Sequence, residues 1–364
     1  MQRRRVIAAG AAALTAGLAA CTDAPIAVSR ADGAALALPA APLRRLAFGS
    51  CIDQERPQPI WDAILADTPD LFLFGGDNVY ASTPPWSRER LERAYARLAA
   101  SPGFALLRAR VPHLAVWDDH DYGANDGGVE FAHKQASKDA FMAFWGLPAD
   151  DPRRARDGLY HAVRLGPAGR QVQIILLDCR WFRSALRRTD RPMAPGAERY
   201  LPDPDPAKTM LGEVQWRWLE QQLRQPADLR LIVSGVQVLA EGHGWECWGN
   251  LPREKSRLLD LVHQTGAGSV VFLSGDRHIG AFYRHQEPGR SPLTEMTSSG
   301  MTHAWAQAAE AGPNRLGELV RSNHFGTIDI DWDARAVRMA LKDEAGATRA
   351  VVHHGLAPHD GRRV

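Results

Sequence analysis

Five short stretches of the sequence gather side chains able to bind metal or move protons. They are Gly49-Ser50-Cys51-Ile52-Asp53, Gly75-Gly76-Asp77-Asn78-Val79-Tyr80, Asp118-Asp119-His120-Asp121, Asp178-Cys179-Arg180 and Ser274-Gly275-Asp276-Arg277-His278. One Asp after an apolar run is more often a turn former or helix cap than a ligand. Five clusters, each closing an apolar run, form a different pattern. Ionised carboxylates brought together repel one another and are costly to desolvate, so they persist mainly where cations neutralise them. The indicated chemistry is therefore that of a multi-metal site. Cys51 offers a thiolate, Tyr80 a phenolate and His278 an imidazole, a set that suits high-valent iron better than magnesium. Asp77, Asp119 and Asp276 are hard oxygen donors appropriate to calcium, magnesium or manganese beside it.

These clusters need a scaffold that brings strand ends together. Leu46–Gly49, Leu71–Phe74, His113–Trp117, Val172–Leu177, Leu231–Val233 and Val270–Leu273 read as buried strands. Helical periodicity covers Pro59–Ala66, Arg88–Ala100, Lys134–Trp145, Gly212–Leu223 and Arg253–His263. Such alternation predicts an α/β domain with its ligand site at the carboxyl ends of the strands. In the last quarter Gly326–Asp331, Ala336–Leu341 and Thr348–His353 alternate as antiparallel strands do, and helices give out.

Several of these stretches also carry a family resemblance. Gly76-Asp77-x-x-Tyr80, Trp117-Asp118-Asp119-His120-Asp121 and Leu273-Ser274-Gly275-Asp276-Arg277-His278, with Phe48-Gly49-Ser50-Cys51 and Gln215-Trp216-x-Trp218-Leu219, resemble the PhoD-like phosphatases. That group lies within the wider metallophosphoesterases. The resemblance implies a two-sheet sandwich flanked by helices, as a single catalytic domain spanning residues 43–354. It implies Cys51, Asp77, Tyr80, Asp119, Asp276 and His278 as metal ligands, with Asp77 bridging. It places His120 as a proton donor outside the principal ligands, and Gln237 where the wider family has a further histidine. The implied cofactors are Fe3+ and Ca2+, with Mn2+, Mg2+ or Zn2+ as alternatives at the second site.

The expected reaction is hydrolysis of phosphate esters, a metal-activated hydroxide attacking phosphorus between cations about 3.5–4 Å apart. His120 then protonates the leaving group. Arg180 is a candidate phosphate clamp, because a guanidinium matches two phosphate oxygens, or else an ion-pair partner of a nearby Asp. Cys179 and Cys247 read as core residues, and so do Trp216, Trp218 and Leu219. Trp245 and Trp248, in the glycine-rich loop 242–249, are candidates for a pocket rim. His243 and His303 are candidate secondary groups, and residues 125–128 read as a turn beside Asp121 with a further cation contact as the alternative. A phospholipase D-like phosphodiesterase and a catalytically silent metal-binding lipoprotein are the competing functions; retention of every ligand argues against the second.

Composition sets the outer limits. With 364 residues, 45% of them apolar, the chain can bury a full-sized core. A net charge of +2 from 44 basic and 42 acidic groups gives no reason to expect a nucleic-acid partner. A monomer acting on a phosphate ester is expected. Arg3-Arg4-Arg5 followed by the short apolar run Val6–Ala20 reads as an export signal. Leu18-Ala19-Ala20-Cys21 resembles a lipobox, which implies acylation at Cys21, a membrane anchor and a location facing the periplasm or cell surface. Arg3-Arg4 also suits the twin-arginine route. Residues 22–42, rich in Ala and Pro, read as a tether, and 355–364 as a tail.

Overall fold

Strands that are apolar at nearly every position need cover on both faces, and that requirement produces the layers of this protein. The computed structural model describes residues 36–310 and 312–357. The expected export signal with Cys21, the tether up to residue 35 and the tail from 358 lie outside the described residues. Among those described, no helix is long and apolar enough to cross a membrane.

The elements follow in the order β1 (Arg45–Gly49), α1 (Ile60–Ala66), β2 (Leu71–Gly75), α2 (Arg88–Ala99), α3 (Pro102–Arg110), β3 (His113–Val116), α4 (Asp119–Tyr122) and α5 (Lys134–Phe144). Then come β4 (His161–Leu165), β5 (Val172–Leu176), α6 (Gly212–Leu223), β6 (Leu229–Ser234), α7 (Pro252–Gln264), β7 (Val270–Ser274), β8 (Gly280–His285) and β9 (Leu293–Ser298). The chain closes with β10 (Arg315–Val320), β11 (His324–Asp331), β12 (Ala336–Asp343) and β13 (Thr348–Gly355).

Two mixed sheets result, in the orders β13-β12-β11-β1-β2-β3 and β10-β8-β9-β7-β6-β5-β4. Strands β1, β2 and β3 are parallel, with Gly49 level with Phe74 and Gly75 level with Val116, so their carboxyl ends form one edge. Strands β5, β6, β7 and β9 are likewise parallel. A parallel bridge between Ser50 and Ser299 ties the end of β1 to that of β9. The carboxyl ends of both parallel sets therefore converge on one place.

Packing explains the near-continuous apolar runs. Leu229, Leu231 and Val233 of β6 join Phe48, Leu73 and Phe74 of the other sheet in a shared core. Ile232 and Phe272 point the opposite way and meet Trp216 and Leu219 of α6 and Leu258 and Val262 of α7. The two-sheet sandwich flanked by helices is thus present as one domain.

Most expected elements match within a residue or two. Six were not anticipated: α3, α4, β4, β8, β9 and β10. Strand β9 shows why, since Thr294, Glu295, Thr297 and Ser298 are buried polar residues that read as loop by composition. Strand β13 also runs to Gly355, one residue into the expected tail.

Gly75 joins the packing to the site. A Cβ there would lie 2.6 Å from the Phe48 ring. Gly75→Ala should therefore cost about 1–3 kcal/mol by overpacking, read as a lower urea midpoint, and should reduce bound metal because the ends of β1 and β2 part. An unchanged midpoint with unchanged metal content would show that this contact does not set the strand ends.

Candidate active site and metal centre

The chain leaves its strands through backbone conformations that non-glycine residues rarely adopt. Cys51 after β1, Asp77 after β2, and Asp276 and His278 after β7 have φ of 62°, 49°, 69° and 53°. Asp126, at 50°, is a fifth among nine such residues described. A left-handed conformation costs roughly 1–2 kcal/mol per residue. Strain concentrated on the chemically able residues marks a site whose geometry the surrounding fold imposes.

The first donor set is mixed. Cys51 Sγ lies 3.4 Å from Asp77 Oδ2, and Tyr80 Oη lies 3.0 Å from His278 Nε2. Ligand atoms of Cys51, Asp77 and His278 all fall within 4.8 Å of one another. Ser299 holds the set from behind, accepting from the His278 backbone N–H at 2.7 Å and meeting Cys51 Sγ at 3.0 Å.

The second set is all oxygen: Asp77, Asp118, Asp119 and Asp276 also lie within that range of one another. A third groups Asp77, Asp119 and His120, and a fourth Asp119, Asp126, Glu246 and Asp276. Asp77 belongs to three of these four groups, the position a bridging carboxylate would occupy. Sequence reasoning had Cys51, Asp77, Tyr80, Asp119, Asp276 and His278 as ligands, and the fold gathers all six.

Within Asp118-Asp119-His120-Asp121 the labour divides. Asp121 accepts from the Asp118 N–H at 2.8 Å and from Asn78 Nδ2 at 2.6 Å, so it shapes the turn. Asp119 accepts the Asp126 N–H at 2.7 Å and faces the cluster. His120 is half-buried, its ring lying over Tyr80 at 4.1 Å between centroids.

The expected phosphate clamp is not what the structure shows. Arg180 is fully buried, its Nε donating to Asp118 at 2.6 Å and its Nη1 to Glu246 at 2.8 and 2.9 Å. Its Nε and Nη1 thus balance acids beneath the site, while Nη2 is buried without a hydrogen-bond partner. Gln237 also turns away from the cluster. Its amide donates to Tyr283 Oη at 3.0 Å and Thr297 Oγ1 at 3.1 Å, and its oxygen meets His243 Nε2 at 3.1 Å.

The electrostatics test whether cations fit here. No ion pair among the described residues involves Asp77, Asp119 or Asp276, whereas Asp118 and Glu246 are paired with arginines. Asp119 Oδ1 and Asp118 Oδ2 are buried without hydrogen-bond partners. Burial, then the neighbouring Asp119, holds the carboxyls of Asp77 and Asp276 well above the usual range. Burial pushes the Cys51 thiol up to about 11 and raises Tyr80 strongly. Burial, with His303 and His120 close by, lowers His278 to about 3, leaving a neutral imidazole. Asp119 runs the other way: although burial opposes it, His120, Arg180 and the Asp126 N–H hold its carboxyl below the usual range. Without a cation the acidic donors other than Asp119 thus favour their protons, and cation binding must displace them. The donor set fits metal.

Some contributors carried little or no local signal. Glu246 lies in a loop far along the chain from Asp119, and Asp126 sits in what reads as an ordinary turn. His303, weighed only as a secondary group, packs against Tyr80 and His278 at centroid distances of 4.8 and 4.3 Å. Ser82 and Ser299 have no motif at all.

A family model described as "PhoD-like phosphatase" matches residues 46–341. A solved structure titled "Structure of PhoD" is similar in fold, with a TM-score of 0.71 and 15% identity, covering 87% of this chain and 71% of that one. A purple acid phosphatase from yellow lupin (Lupinus luteus) seeds is similar at a TM-score of 0.57 and 10% identity, covering 87% of this chain and 55% of that one. No curated protein matches the sequence.

The buried acids make stability depend on pH in a determined direction. Burial raises Asp118 and Asp121 to about 7 each, with Arg180 partly offsetting it at Asp118. An acid whose folded value exceeds its unfolded one contributes stability below the unfolded value and loses it as pH rises through the folded value. Seven histidines lowered by burial to about 3 or 4 act in the opposite direction below about pH 6.5, so the effect of the acids is seen above it. Chelated protein should melt at a lower temperature at about pH 8.5 than at about pH 7, and added metal should raise the melting temperature more at the higher pH. A chelated protein that is more stable at the higher pH would contradict this account of the buried charge.

Proposed function

The chain belongs to the PhoD-like phosphatase family, and from that premise we propose that it is a metal-dependent phosphoric ester hydrolase using iron and calcium. The supporting observation is the sharing of Asp77 between a thiol, phenol and imidazole set and an all-carboxylate set. The first set suits ferric iron and the second calcium, with Mn2+, Mg2+ or Zn2+ as alternatives there. Cations held in this way neutralise phosphoryl oxygens and acidify a water for attack on phosphorus.

The chain's own residues divide the remaining tasks. Cys51, Asp77, Tyr80, Asp119, Asp276 and His278 would hold the cations. Arg180 fixes Asp118 and Glu246 below them. His120 keeps its Nε2 free of any protein partner among the described residues, while Nδ1 is engaged by Ser82. It is thereby suited to give a proton to the departing alcohol oxygen, a contribution of about 10²–10⁴ in rate. We further read residues 1–21 as a lipoprotein export signal, so that acylated Cys21 holds the enzyme on the outer side of a membrane, reached by the twin-arginine route. Phosphomonoesters and phosphodiesters both fall within this reading, envelope lipids or polymers included.

Asp77→Asn removes the shared charge, so metal content and activity should fall together, which metal analysis beside a phosphate-ester assay will show. Retention of full metal with lost activity would deny the bridging role. Ferric tyrosinate absorbs visible light, so Tyr80→Phe should bleach a coloured wild type; a colourless active enzyme containing only zinc would overturn the iron assignment. Cys21→Ser should release active protein from membranes, and a wild type already soluble on fractionation would refute the anchor.

A further inference from the structure

The ring of His120 can serve a departing oxygen only if its orientation is fixed before substrate arrives. Three contacts fix it. The His120 backbone N–H donates to Asp77 Oδ1 at 3.2 Å, which places the residue beside the cluster. The Tyr80 ring lies over the imidazole at 4.1 Å with 34° between planes, which limits tilt but leaves the ring free to flip end for end. Ser82 Oγ lies 2.6 Å from Nδ1 and is the one side-chain polar contact the ring makes among the described residues. We propose that Ser82 is a positioning residue of the hydrolytic reaction, its hydroxyl holding His120 with Nε2 directed at the leaving oxygen; this deepens the proposed proton-donor role of His120 and rests on it.

Ser82 is itself held for the task. It is only 9% exposed, behind the imidazole and on the side away from Nε2. The segment before it is clamped by Gln54, which accepts from the Tyr80 N–H at 2.8 Å and donates to the Tyr80 carbonyl at 3.1 Å. The segment after it is tied by Arg90, which donates to the carbonyls of Thr83 at 2.7 Å and Pro85 at 2.8 Å. A hydroxyl on so fixed a backbone needs little reorganisation. It can also accept from or donate to Nδ1 by rotating its hydrogen, so the ring keeps one orientation before and after transfer. In that transfer the attacking hydroxide oxygen bonds to phosphorus as the phosphorus–oxygen bond to the alcohol breaks, the imidazolium gives its Nε2 proton to the departing alkoxide, and Nδ1–H goes on donating to Ser82 Oγ in the neutral ring that remains. Ser82 is therefore not a nucleophile, despite forming a serine–histidine pair.

The test compares wild type, Ser82→Ala, Ser82→Thr, His120→Ala and the double variant Ser82→Ala/His120→Ala, each with its metals bound. kcat and KM are measured on p-nitrophenyl phosphate and on an alkyl phosphate, alongside metal content. Ser82→Ala should lower kcat on the alkyl ester by about three- to tenfold, the worth of one hydrogen bond. It should leave KM, metal content and p-nitrophenyl turnover near wild type, because an acidic leaving alcohol needs little protonation. Ser82→Thr should restore the loss, and Ser82→Ala should add nothing once His120 is already Ala. If His120→Ala is selective for the alkyl ester but Ser82→Ala is not, the role of Ser82 is refuted and that of His120 stands. If His120→Ala harms both esters equally, the proton-donor reading fails and this proposal fails with it. A phosphoserine trapped at position 82 would overturn the positioning role in favour of covalent catalysis.

Discussion

Asp77 and Asp119 are buried and Asp276 is half-buried, all within reach of one another, and among the described residues none of the three is ion-paired with a cationic side chain. Mutual repulsion and lost hydration would drive three such carboxylates apart in a loose structure. Here the convergence of two parallel strand sets leaves them no exit. Burial favours the protonated carboxyls of Asp77 and Asp276, and a cation bound there would have to displace those protons. Stability and metal affinity are consequently two readings of one electrostatic problem.

A layer beneath the cluster keeps the problem contained. Arg180 and Arg183 meet Glu246, and Arg180 also meets Asp118, all four being buried. Removing one member would leave a partner's charge buried alone, a larger loss than the pair's own net contribution. Further back, Ser274, Thr297, Gln237 and Tyr283 form a chain of hydrogen bonds, and Glu295 accepts the N–H groups of Val238 and Leu239 at 2.9 and 2.5 Å. This polar underlayer ties the loops after β6 to strand β9, so a segment without regular structure is held as firmly as a strand.

Backbone geometry completes the constraint. Gly76, with φ of 105°, packs where a Cβ would meet Asp118 Cβ at 2.5 Å, and a Cβ on Gly235 would meet Asp118 Oδ1 at 2.2 Å. Only a bare backbone permits the ends of β2, β3 and β6 to close around one aspartate. The left-handed turns at Cys51, Asp77, Asp276 and His278 then aim their side chains inward. Small residues and strained ones serve the same end, a short distance between donors contributed by different strands.

The sequence alone determined the alternation of buried strands and helices and the closing antiparallel meander, and it singled out the six candidate donor residues that the fold brings together. Each of these is written in local pattern: apolar runs with period two or 3.6, and polar clusters ending them. What local pattern does not carry is pairing across the chain. Strand β9 was illegible because its buried Thr294, Glu295 and Thr297 meet their partners, His354, the N–H groups of Val238 and Leu239, and Ser274 with Gln237, only in the folded state. Glu246, Asp126, His303 and Ser82 reach the site from loops whose course depends on the packing of both sheets. Arg180 stood between a substrate contact and an ion pair, and tertiary structure decided for the pair, since Asp118 and Glu246 are neighbours of Arg180 in space and not in sequence. Identity of a donor is a property of its side chain, whereas what that donor faces is settled by the convergence of strands far apart along the chain.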